Sequence, residues 1–372
     1  MVRGAPPVWL RRPSRFAGLA RGPAITVLIA LGVLILFCLT TLGTAAPGDG
    51  MSGNAPPAGQ QDIYLYGSIV SGLRAGGDYY GVAVEALRAG NFPLKPFFTF
   101  RLPTLAVVEA ALPAWGVAML LYLLAACVAA AWFVRLRDAL AARPAPLAAA
   151  MVALMAGMLA CVQTDIAAFH EIWAAQLIAL SLALWRPDRW LESIAVALMA
   201  MLIRETAALY TIIMALFAFR SGRRGELAGW GAALAIFAVA VGLHAYAVSQ
   251  VVGPLDPASP GWAGLNGFGF FTRALILSTA LQALPLWLGA ILVAGAWWGW
   301  AAWDDPLAIR ALAVFAAYAL LVGIAARQDN FYWALLVAPA FPIGLAFLPD
   351  GVRDLVSAAL DRRHVRVQRI TR

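Results

Sequence analysis

The sequence predicts an all-α integral membrane protein with about ten transmembrane helices and amphipathic surface helices in its first outer loop. Hydrophobic residues make up 63% of the 372-residue chain and charged residues only 12%, whereas soluble domains carry about 25% charged residues. The apolar residues form runs that approach the roughly 20 residues needed to cross a bilayer. The 27 lysines and arginines are concentrated in alternate connecting segments, as the positive-inside rule describes.

Ten apolar runs are the predicted spans, and the shorter ones are acceptable because a bilayer thins or a helix tilts to match. The first run follows Arg11, Arg12, Arg15 and Arg21, as a signal peptide would, but its length and the position of Pro47 favour an uncleaved helix. The predicted spans are residues 24–45, 113–134, 145–163, 172–185, 191–203, 206–219, 227–248, 284–303, 308–326 and 331–348.

Placing the N-terminus in the cytoplasm puts 20 of the 27 basic residues inside and the other 7 outside. We therefore expect a multi-pass protein of the bacterial inner (plasma) membrane with both termini in the cytoplasm. This topology gives a cytoplasmic tail at 1–23, one transmembrane domain at 24–348 with outer loops at 46–112 and 249–283, and a basic cytoplasmic tail at 349–372. Because topology explains the net charge of +8, nucleic-acid binding is not expected.

The apolar run 191–219 tests this topology, because it is too long for one ordinary span and carries Arg204 and Glu205 near its middle. Basic residues flank both of its ends. A single crossing would place one basic group outside, whereas a hairpin keeps both inside and brings Arg204 and Glu205 to the outer side. We expect protein or water, rather than lipid, around this pair. In the second outer loop, residues 270–284 predict an apolar surface helix around Arg273.

Polar side chains near the span ends converge on the predicted outer side. Because polar groups at membrane depth are costly, this convergence indicates a site. The competing interpretation is that short outer loops are polar in any case, although the positive-inside tendency works against outer arginines. The residues concerned are Asp62, Asp78, Arg101, Asp165, His170, Glu171, Arg204, Glu205 and the run Arg327, Gln328, Asp329 and Asn330.

Residues 76–103, in the first outer loop, contain an island of charge. Apolar residues at helical spacing follow Asp78, and Gly90 and Pro93 end that pattern. Asp78 is therefore predicted to be a helix N-cap, a role compatible with a catalytic one. Arg101 has two interpretations, snorkelling beside the membrane or bidentate binding of a phosphate.

The sequence contains no specific metal or disulfide signature. Asp165, His170 and Glu171 could contribute to a metal site, but their spacing matches no known ligand pattern. The three cysteines all lie inside hydrophobic runs, so no disulfide framework is implied.

The order of these features resembles the GT-C superfamily of polytopic glycosyltransferases, which includes lipid-linked mannosyl- and aminoarabinosyl-transferases. An uncleaved first span is followed by an outer loop with an Asp and aromatics, a surface helix and an Arg-x-Pro. The residues that carry the likeness are Asp78-Tyr79-Tyr80, Leu87-Arg88-Ala89-Gly90 and Arg101-Leu102-Pro103. The likeness covers the architecture of nearly the whole chain, but its specific motif covers only 78–103. Tyr79 stands where many members have Glu, and the large soluble outer domain of many members is lacking.

The resemblance implies an inverting transfer of sugar from a polyprenyl-phosphate donor in the membrane lipid to a glycan, lipid or protein acceptor on the extracytoplasmic face. It implies Asp78 as the base, with Asp62 as the alternative carboxylate. Arg101, Arg204 and Arg327 would bind the donor phosphate. No cofactor is assigned, and a divalent metal is left open. The residues expected to orient the acceptor are Tyr79, Tyr80, Asp165, His170, Glu171 and Glu205.

Two other functions fit the same composition. A transporter or flippase of lipid-linked sugars would more often show inverted repeats and a midplane site. A non-catalytic assembly protein would keep its function without Asp78 and Arg101.

Overall fold

A computed structural model describes residues 7–44, 58–262 and 264–361. The start of the predicted N-terminal tail, the first part of the predicted outer loop at 46–112 and the basic residues at 362–372 lie outside the described residues. The described residues form fourteen α-helices and no β-strand. The helices are α1 Arg21–Leu39, α2 Ala58–Arg74, α3 Tyr79–Ala89, α4 Thr104–Ala111, α5 Ala114–Ala139, α6 Pro144–Met158, α7 His170–Leu184, α8 Leu191–Ile203, α9 Ala208–Arg220, α10 Arg224–Val251, α11 Gly267–Leu277, α12 Leu286–Ala302, α13 Pro306–Ile324 and α14 Leu348–Leu360.

Five helical segments among the described residues are long and apolar enough to cross a membrane. They support the predicted all-α membrane class and correspond to the predicted spans at 24–45, 113–134, 145–163, 227–248 and 308–326. The helices α7, α8, α9 and α12 are only 13 to 17 residues long, so ten full-length spans are not confirmed. The five segments are Arg21–Gly43, Ala114–Ala139, Pro144–Val162, Arg224–Val251 and Pro306–Ile324.

The predicted span at 331–348 is wrong as a transmembrane helix. Two 3₁₀ stretches, Gln328–Leu336 and Phe341–Ala346, occupy this region, and nearly all of its side chains are buried. Proline at 339 and 342 removes backbone donors that an α-helix would need. The segment passes so close to α12 that a Cβ on Gly299 would collide with the carbonyl oxygen of Gly344. The apolar composition of this run therefore reflects burial inside the protein, not an α-helix.

The helix α7 forms the centre of the bundle, and thirteen of its fifteen residues are buried. A helix that is apolar on every face is expected to be surrounded by protein. It begins at His170, beside Arg204, and ends before Trp185. We call these two sides of the bundle the Arg204 end and the Trp185 end. At 1.5 Å per residue, α7 separates them by only about 22 Å.

The predicted hairpin at 191–219 has the expected break. Helix α8 ends at Ile203, Arg204 is extended (φ −139°, ψ 111°), and α9 begins at Ala208. The start of α8 and the end of α9 both lie at the Trp185 end. Trp190, just before α8, packs on Gly229 of α10, and the guanidinium of Arg223, just after α9, lies 5.7 Å from the Trp185 ring. The Arg204 turn is therefore at the opposite end of the bundle.

The described parts of the predicted tails pack against each other. The buried Asp350 of α14 accepts backbone hydrogen bonds from Val8, Trp9 and Leu10 at 2.7–2.8 Å. Ser14 donates both its backbone N–H and its hydroxyl to Asp354. The N-terminal segment and α14 thus form one unit at the Trp185 end.

The outer-loop segments also differ in detail from the predictions. Helix α2 begins at Ala58, inside the predicted outer loop at 46–112, while α3 agrees with the predicted surface helix. The predicted helix at 270–284 is α11, which ends at Leu277. Its Phe270 and Phe271 are buried, and Arg273 donates to the carbonyl of Thr44, so α11 is packed into the bundle.

Candidate functional site

A cavity of about 480 Å³ lies at the Arg204 end. It is enclosed by α2, the segment between α3 and α4, the turn after α8, the loop before α11 and the 3₁₀ stretch after α13. The structure thus brings the three predicted arginines into one cavity from distant parts of the chain. Its polar lining residues are Gln61, Asp62, Tyr66, Thr99, Arg101, Arg204, Glu205, Thr206, Ser259, Arg327, Asp329, Asn330 and Tyr332.

Arg101 is held in this cavity by two tyrosines. Its Nε donates to the Tyr66 hydroxyl at 3.0 Å, and its carbonyl accepts from the Tyr79 hydroxyl at 2.6 Å. The next residue, Leu102, donates its N–H to Glu205 at 3.1 Å. Arg101 forms no salt bridge with any described residue. It is therefore the one predicted arginine whose cation has no carboxylate partner among the described residues.

Arg204 is committed to two carboxylates. Its Nε lies 2.6 Å from Glu171 Oε1, with both side chains nearly completely buried, and its Nη1 lies 3.1 Å from Glu205 Oε2. Its guanidinium also lies 5.9 Å from the centre of the Trp333 ring. Two negative partners offset this cation, so its direct attraction for an added anion is reduced. Its main structural effect is to join α7 to the turn after α8.

Arg327 forms a two-point contact with Asp329, with N–O distances of 3.1 and 2.9 Å. Both side chains are about one-third exposed. An exposed pair of this kind contributes little to stability, and the partners can separate at small cost. The Arg327 guanidinium is therefore not fixed to Asp329 as Arg204 is to Glu171.

Asp62 is the carboxylate beside these arginines. Its Oδ2 accepts a hydrogen bond of 2.7 Å from the Tyr332 hydroxyl, which itself accepts from Asn330 Nδ2 at 3.1 Å. Asp62 has no other hydrogen bond to a described residue. Burial raises the pKa of Asp62 above its ordinary value, and the Tyr332 hydrogen bond and the Arg101 charge oppose that rise. A carboxylate with a raised pKa is suited to accepting a proton.

Asp78, by contrast, does not line the cavity. It is exposed, and its Oδ1 accepts the Gly81 N–H at 2.9 Å, which confirms the predicted N-cap of α3. Between the two carboxylates left open by the sequence, Asp62 is the one that lines the cavity with the arginines.

The six residues predicted to orient the acceptor are divided between the cavity and its surroundings. Glu205 lines the cavity, and Glu171 and Tyr79 lie behind Arg204 and Arg101. The others are placed elsewhere. Asp165 is exposed, Tyr80 pairs with His244 Nδ1 at 3.1 Å, and the ring of His170 packs at 4.7 Å on Tyr66.

The second outer loop covers one side of the cavity. Arg88 pairs with Asp256 at 2.7 Å, Lys95 donates to the carbonyl of Pro254, and the Trp262 ring lies 5.0 Å from Phe98. These contacts fix the loop to the segment that carries Arg101. Two further charges of the sequence island, Arg88 and Lys95, thus hold the covering loop.

A groove of about 630 Å³ between α2 and α3 adjoins the cavity, since the two share Gln61, Leu65 and Phe92 as lining residues. The exposed ring of Tyr64 and the side chains of Ser68 and Glu85 also line the groove. The groove and the cavity therefore lie on either side of these shared residues.

No described group of three or more His, Cys, Asp or Glu residues has the arrangement of a metal site. Asp165, His170 and Glu171 are not brought together around one point, because Asp165 is exposed and Glu171 pairs with Arg204. These three residues therefore do not form a set of ligands for a divalent metal, which the sequence left as an open question.

A second polar cavity, of about 250 Å³, lies at the Trp185 end and is also rich in arginine. Arg135 pairs there with Asp305 at 2.9 Å, and Arg186 donates to the carbonyls at the end of α7. The other two arginines that line it, Arg11 and Arg12, are exposed. None of the site residues that the sequence predicts lines this second cavity. We therefore place the candidate site in the cavity at the Arg204 end.

Sequence reasoning missed Tyr66, Tyr332 and Trp333. Tyr66 stands one helical turn after Asp62, a spacing that places both side chains on one face of α2. This signal was readable, but only if 58–74 had been recognised as a helix. Tyr332 and Trp333 lie within the run predicted to be a membrane span, where apolar composition gives no signal for a site.

Comparisons of the chain with family models, with curated proteins and with solved structures find no match.

Proposed function

We propose that the protein is a membrane glycosyltransferase that moves a sugar from a polyprenyl-phosphate donor to a hydroxyl acceptor. The observation that carries this proposal is one cavity lined by a carboxylate with a raised pKa and by an arginine without a carboxylate partner among the described residues. Asp62 supplies the base and Arg101 the cation. Glycosyl transfer from a lipid phosphate needs a base on one side of the reacting carbon and a cation beside the phosphate on the other.

In the proposed step, an acceptor hydroxyl attacks the anomeric carbon of the sugar from the face opposite the phosphate. The new carbon–oxygen bond forms as the bond to the phosphate oxygen breaks, which inverts the anomeric configuration. The acceptor proton goes to Asp62, and the electron pair leaves with the polyprenyl phosphate. Arg101, with Arg327 as second cation, stabilises the added charge on that phosphate.

The short central helices support access from the lipid. Helices α7, α8 and α9 are about 20 Å long, whereas the hydrocarbon core is about 30 Å thick. A bundle that is thin at its centre leaves a recess in which a lipid phosphate can reach Arg101. The groove between α2 and α3 then serves the acceptor.

The test is sugar transfer by the full chain in lipid nanodiscs, with polyprenyl-phosphate donors that carry different labelled sugars. We expect Asp62→Asn to lower the rate by about 10²- to 10⁴-fold, the usual contribution of a general base. Asp78→Asn is the matched control, because asparagine caps a helix as well as aspartate. It is expected to keep near-wild-type transfer.

The opposite pattern would return the role of base to Asp78. Equal activity of wild type and both variants would refute a carboxylate base at either position. Counterflow of an intact lipid-linked sugar, with no bond cleavage in any donor, would favour the transporter or flippase.

A further inference from the structure

Arg101 stands in a short irregular segment between the 3₁₀ turn Phe97–Thr99 and the start of α4. Residues 100–102 belong to no helix and no strand, so their backbone groups have no regular ladder of hydrogen bonds and need other partners. The side chains of Phe100 and Leu102, on either side of Arg101, are buried, at 2% and 3% exposed. The position of Arg101 therefore depends on what holds this segment.

The two peptide planes that meet at the Cα of Arg101 are each held by side chains from other segments. In the plane after it, the Arg101 carbonyl accepts from the Tyr79 hydroxyl, and the next N–H donates to Glu205. In the plane before it, the carbonyl oxygen of Phe100 lies 3.4 Å from His244 Nε2. Because a peptide unit is planar and a residue turns only about φ and ψ, holding both planes fixes the direction in which the Arg101 side chain leaves the backbone.

The ring of His244 is oriented by its two hydrogen-bond partners. A carbonyl oxygen can only accept, so Nε2 must carry the proton in its contact with Phe100. In the neutral ring Nδ1 is then an acceptor, and its donor is the Tyr80 hydroxyl, 3.1 Å away. His244 belongs to α10, is 3% exposed and is not one of the residues that line the cavity. It therefore reaches the site only through the backbone beside Arg101.

The guanidinium of Arg101 depends on this orientation. Its Nε donates to the Tyr66 hydroxyl at 3.0 Å, while Nη1 and Nη2 form no hydrogen bond with a described residue. A guanidinium binds a phosphate best through two parallel N–H bonds, which require a definite angle between the two groups. A side chain that already has its bound geometry loses less freedom when the ligand arrives, so a fixed backbone at Arg101 raises the affinity for a phosphate.

We infer that His244 is a positioning residue for Arg101. Through the Phe100 carbonyl it holds the Arg101 backbone at the angle at which the guanidinium meets a phosphate. This inference rests on the proposed function for the phosphate, and it adds a residue outside the cavity to the groups on which phosphate binding depends. It also gives Tyr80 a role other than orienting an acceptor, because its hydroxyl holds the His244 tautomer.

The test uses the full chain in lipid nanodiscs, with a polyprenyl phosphate as the probe. His244→Phe keeps a ring of similar size and removes both nitrogens. His244→Gln returns an amide N–H near the position of Nε2, whereas His244→Asn returns one near Nδ1, short of the Phe100 carbonyl. Trp230→Phe is the matched control, because Trp230 is a buried residue of the same helix and loses one hydrogen bond, to Glu226 at the Trp185 end.

We expect His244→Phe to weaken binding of the polyprenyl phosphate about three- to tenfold, the cost of ordering one side chain on binding. His244→Gln restores most of this affinity, His244→Asn does not, and Trp230→Phe keeps the wild-type affinity. In an Arg101→Gln background, His244→Phe has no further effect, because it acts only through Arg101.

Amide hydrogen exchange measures the same segment without any ligand. The Leu102 N–H donates to Glu205, so its exchange, followed by mass spectrometry of a peptide that covers 100–104, reports how often the segment opens. We expect this exchange to be about three- to tenfold faster in His244→Phe and His244→Asn than in wild type, the effect of one lost hydrogen bond. His244→Gln and Trp230→Phe exchange at the wild-type rate.

Wild-type affinity in His244→Phe would overturn the inference, as would an equal loss of affinity in the Arg101→Gln background. Failure of the proposed function gives a different result, in which wild type does not bind the polyprenyl phosphate at all. The exchange measurement then decides the inference. Faster exchange at Leu102 that His244→Gln reverses supports the positioning role, and equal exchange in all variants refutes it.

Discussion

Replacing either member of the buried Arg204–Glu171 pair is expected to have unequal effects on stability. In Arg204→Met, Glu171 keeps no cation, although it is fully buried and its Oε2 already has no partner among the described residues. Breaking a buried pair in this way costs about 3–5 kcal/mol. In Glu171→Leu, Arg204 keeps Glu205 at 3.1 Å and the Trp333 ring at 5.9 Å. That variant is expected to lose only about 1–3 kcal/mol.

The double variant Glu171→Leu/Arg204→Met removes both buried charges together. Since apolar replacement of a complete buried pair is often neutral, we expect its stability to return to within about 1–2 kcal/mol of wild type. Thermal unfolding in nanodiscs measures these differences, at roughly 2 °C per kcal/mol for a chain of this length. Arg204→Met should therefore unfold about 6–10 °C below wild type, and the double variant no more than about 4 °C below.

Two outcomes would refute this reasoning. An Arg204→Met variant that unfolds with the wild type would mean that Glu171 is not a buried charge that depends on Arg204. A double variant that loses the sum of the single losses would mean that the two side chains are not coupled.

Further predictions concern Glu109, the glycine contacts and the pH profile. Burial raises the pKa of Glu109 from 4.5 to about 7, so the folded form retains a proton that the unfolded chain releases. The free energy of unfolding is therefore unaffected by this group below pH 4.5 and falls by about 3 kcal/mol in all as pH rises to about 7. The unfolding temperature of Glu109→Gln, measured relative to wild type, should rise over this pH range. A difference that stays constant with pH would contradict the raised pKa of Glu109. Gly299→Ala is expected to lower stability by about 1–3 kcal/mol because its Cβ meets the Gly344 carbonyl. The control Gly231→Ala, which meets nothing within 4 Å, should be neutral or stabilising by up to about 1 kcal/mol, and equal unfolding temperatures for both variants would refute the contact. Because the pKa of Asp62 is raised, sugar transfer should decline with falling pH at values above the ordinary aspartate range, and a rate independent of pH down to about 4 would argue against this base.

The sequence by itself determined the features that depend on local composition. Hydrophobic content indicated the membrane class, Asp78 before an amphipathic run indicated the cap of α3, and the charge pair at Arg204 and Glu205 indicated the break between α8 and α9. These features are local because a cap, a break or an apolar run is decided by residues within a few positions of one another.

Only the tertiary structure decided which carboxylate stands beside the arginines and how the 331–348 run is used. Asp62 and Tyr332 are 270 residues apart, and no local pattern records that they meet. The run at 331–348 is as apolar as a membrane span. However, it packs closely against glycines of α12 and forms buried 3₁₀ stretches instead of an α-helix. Both outcomes depend on contacts between distant segments, whose free energy is gained only after the helices have packed together.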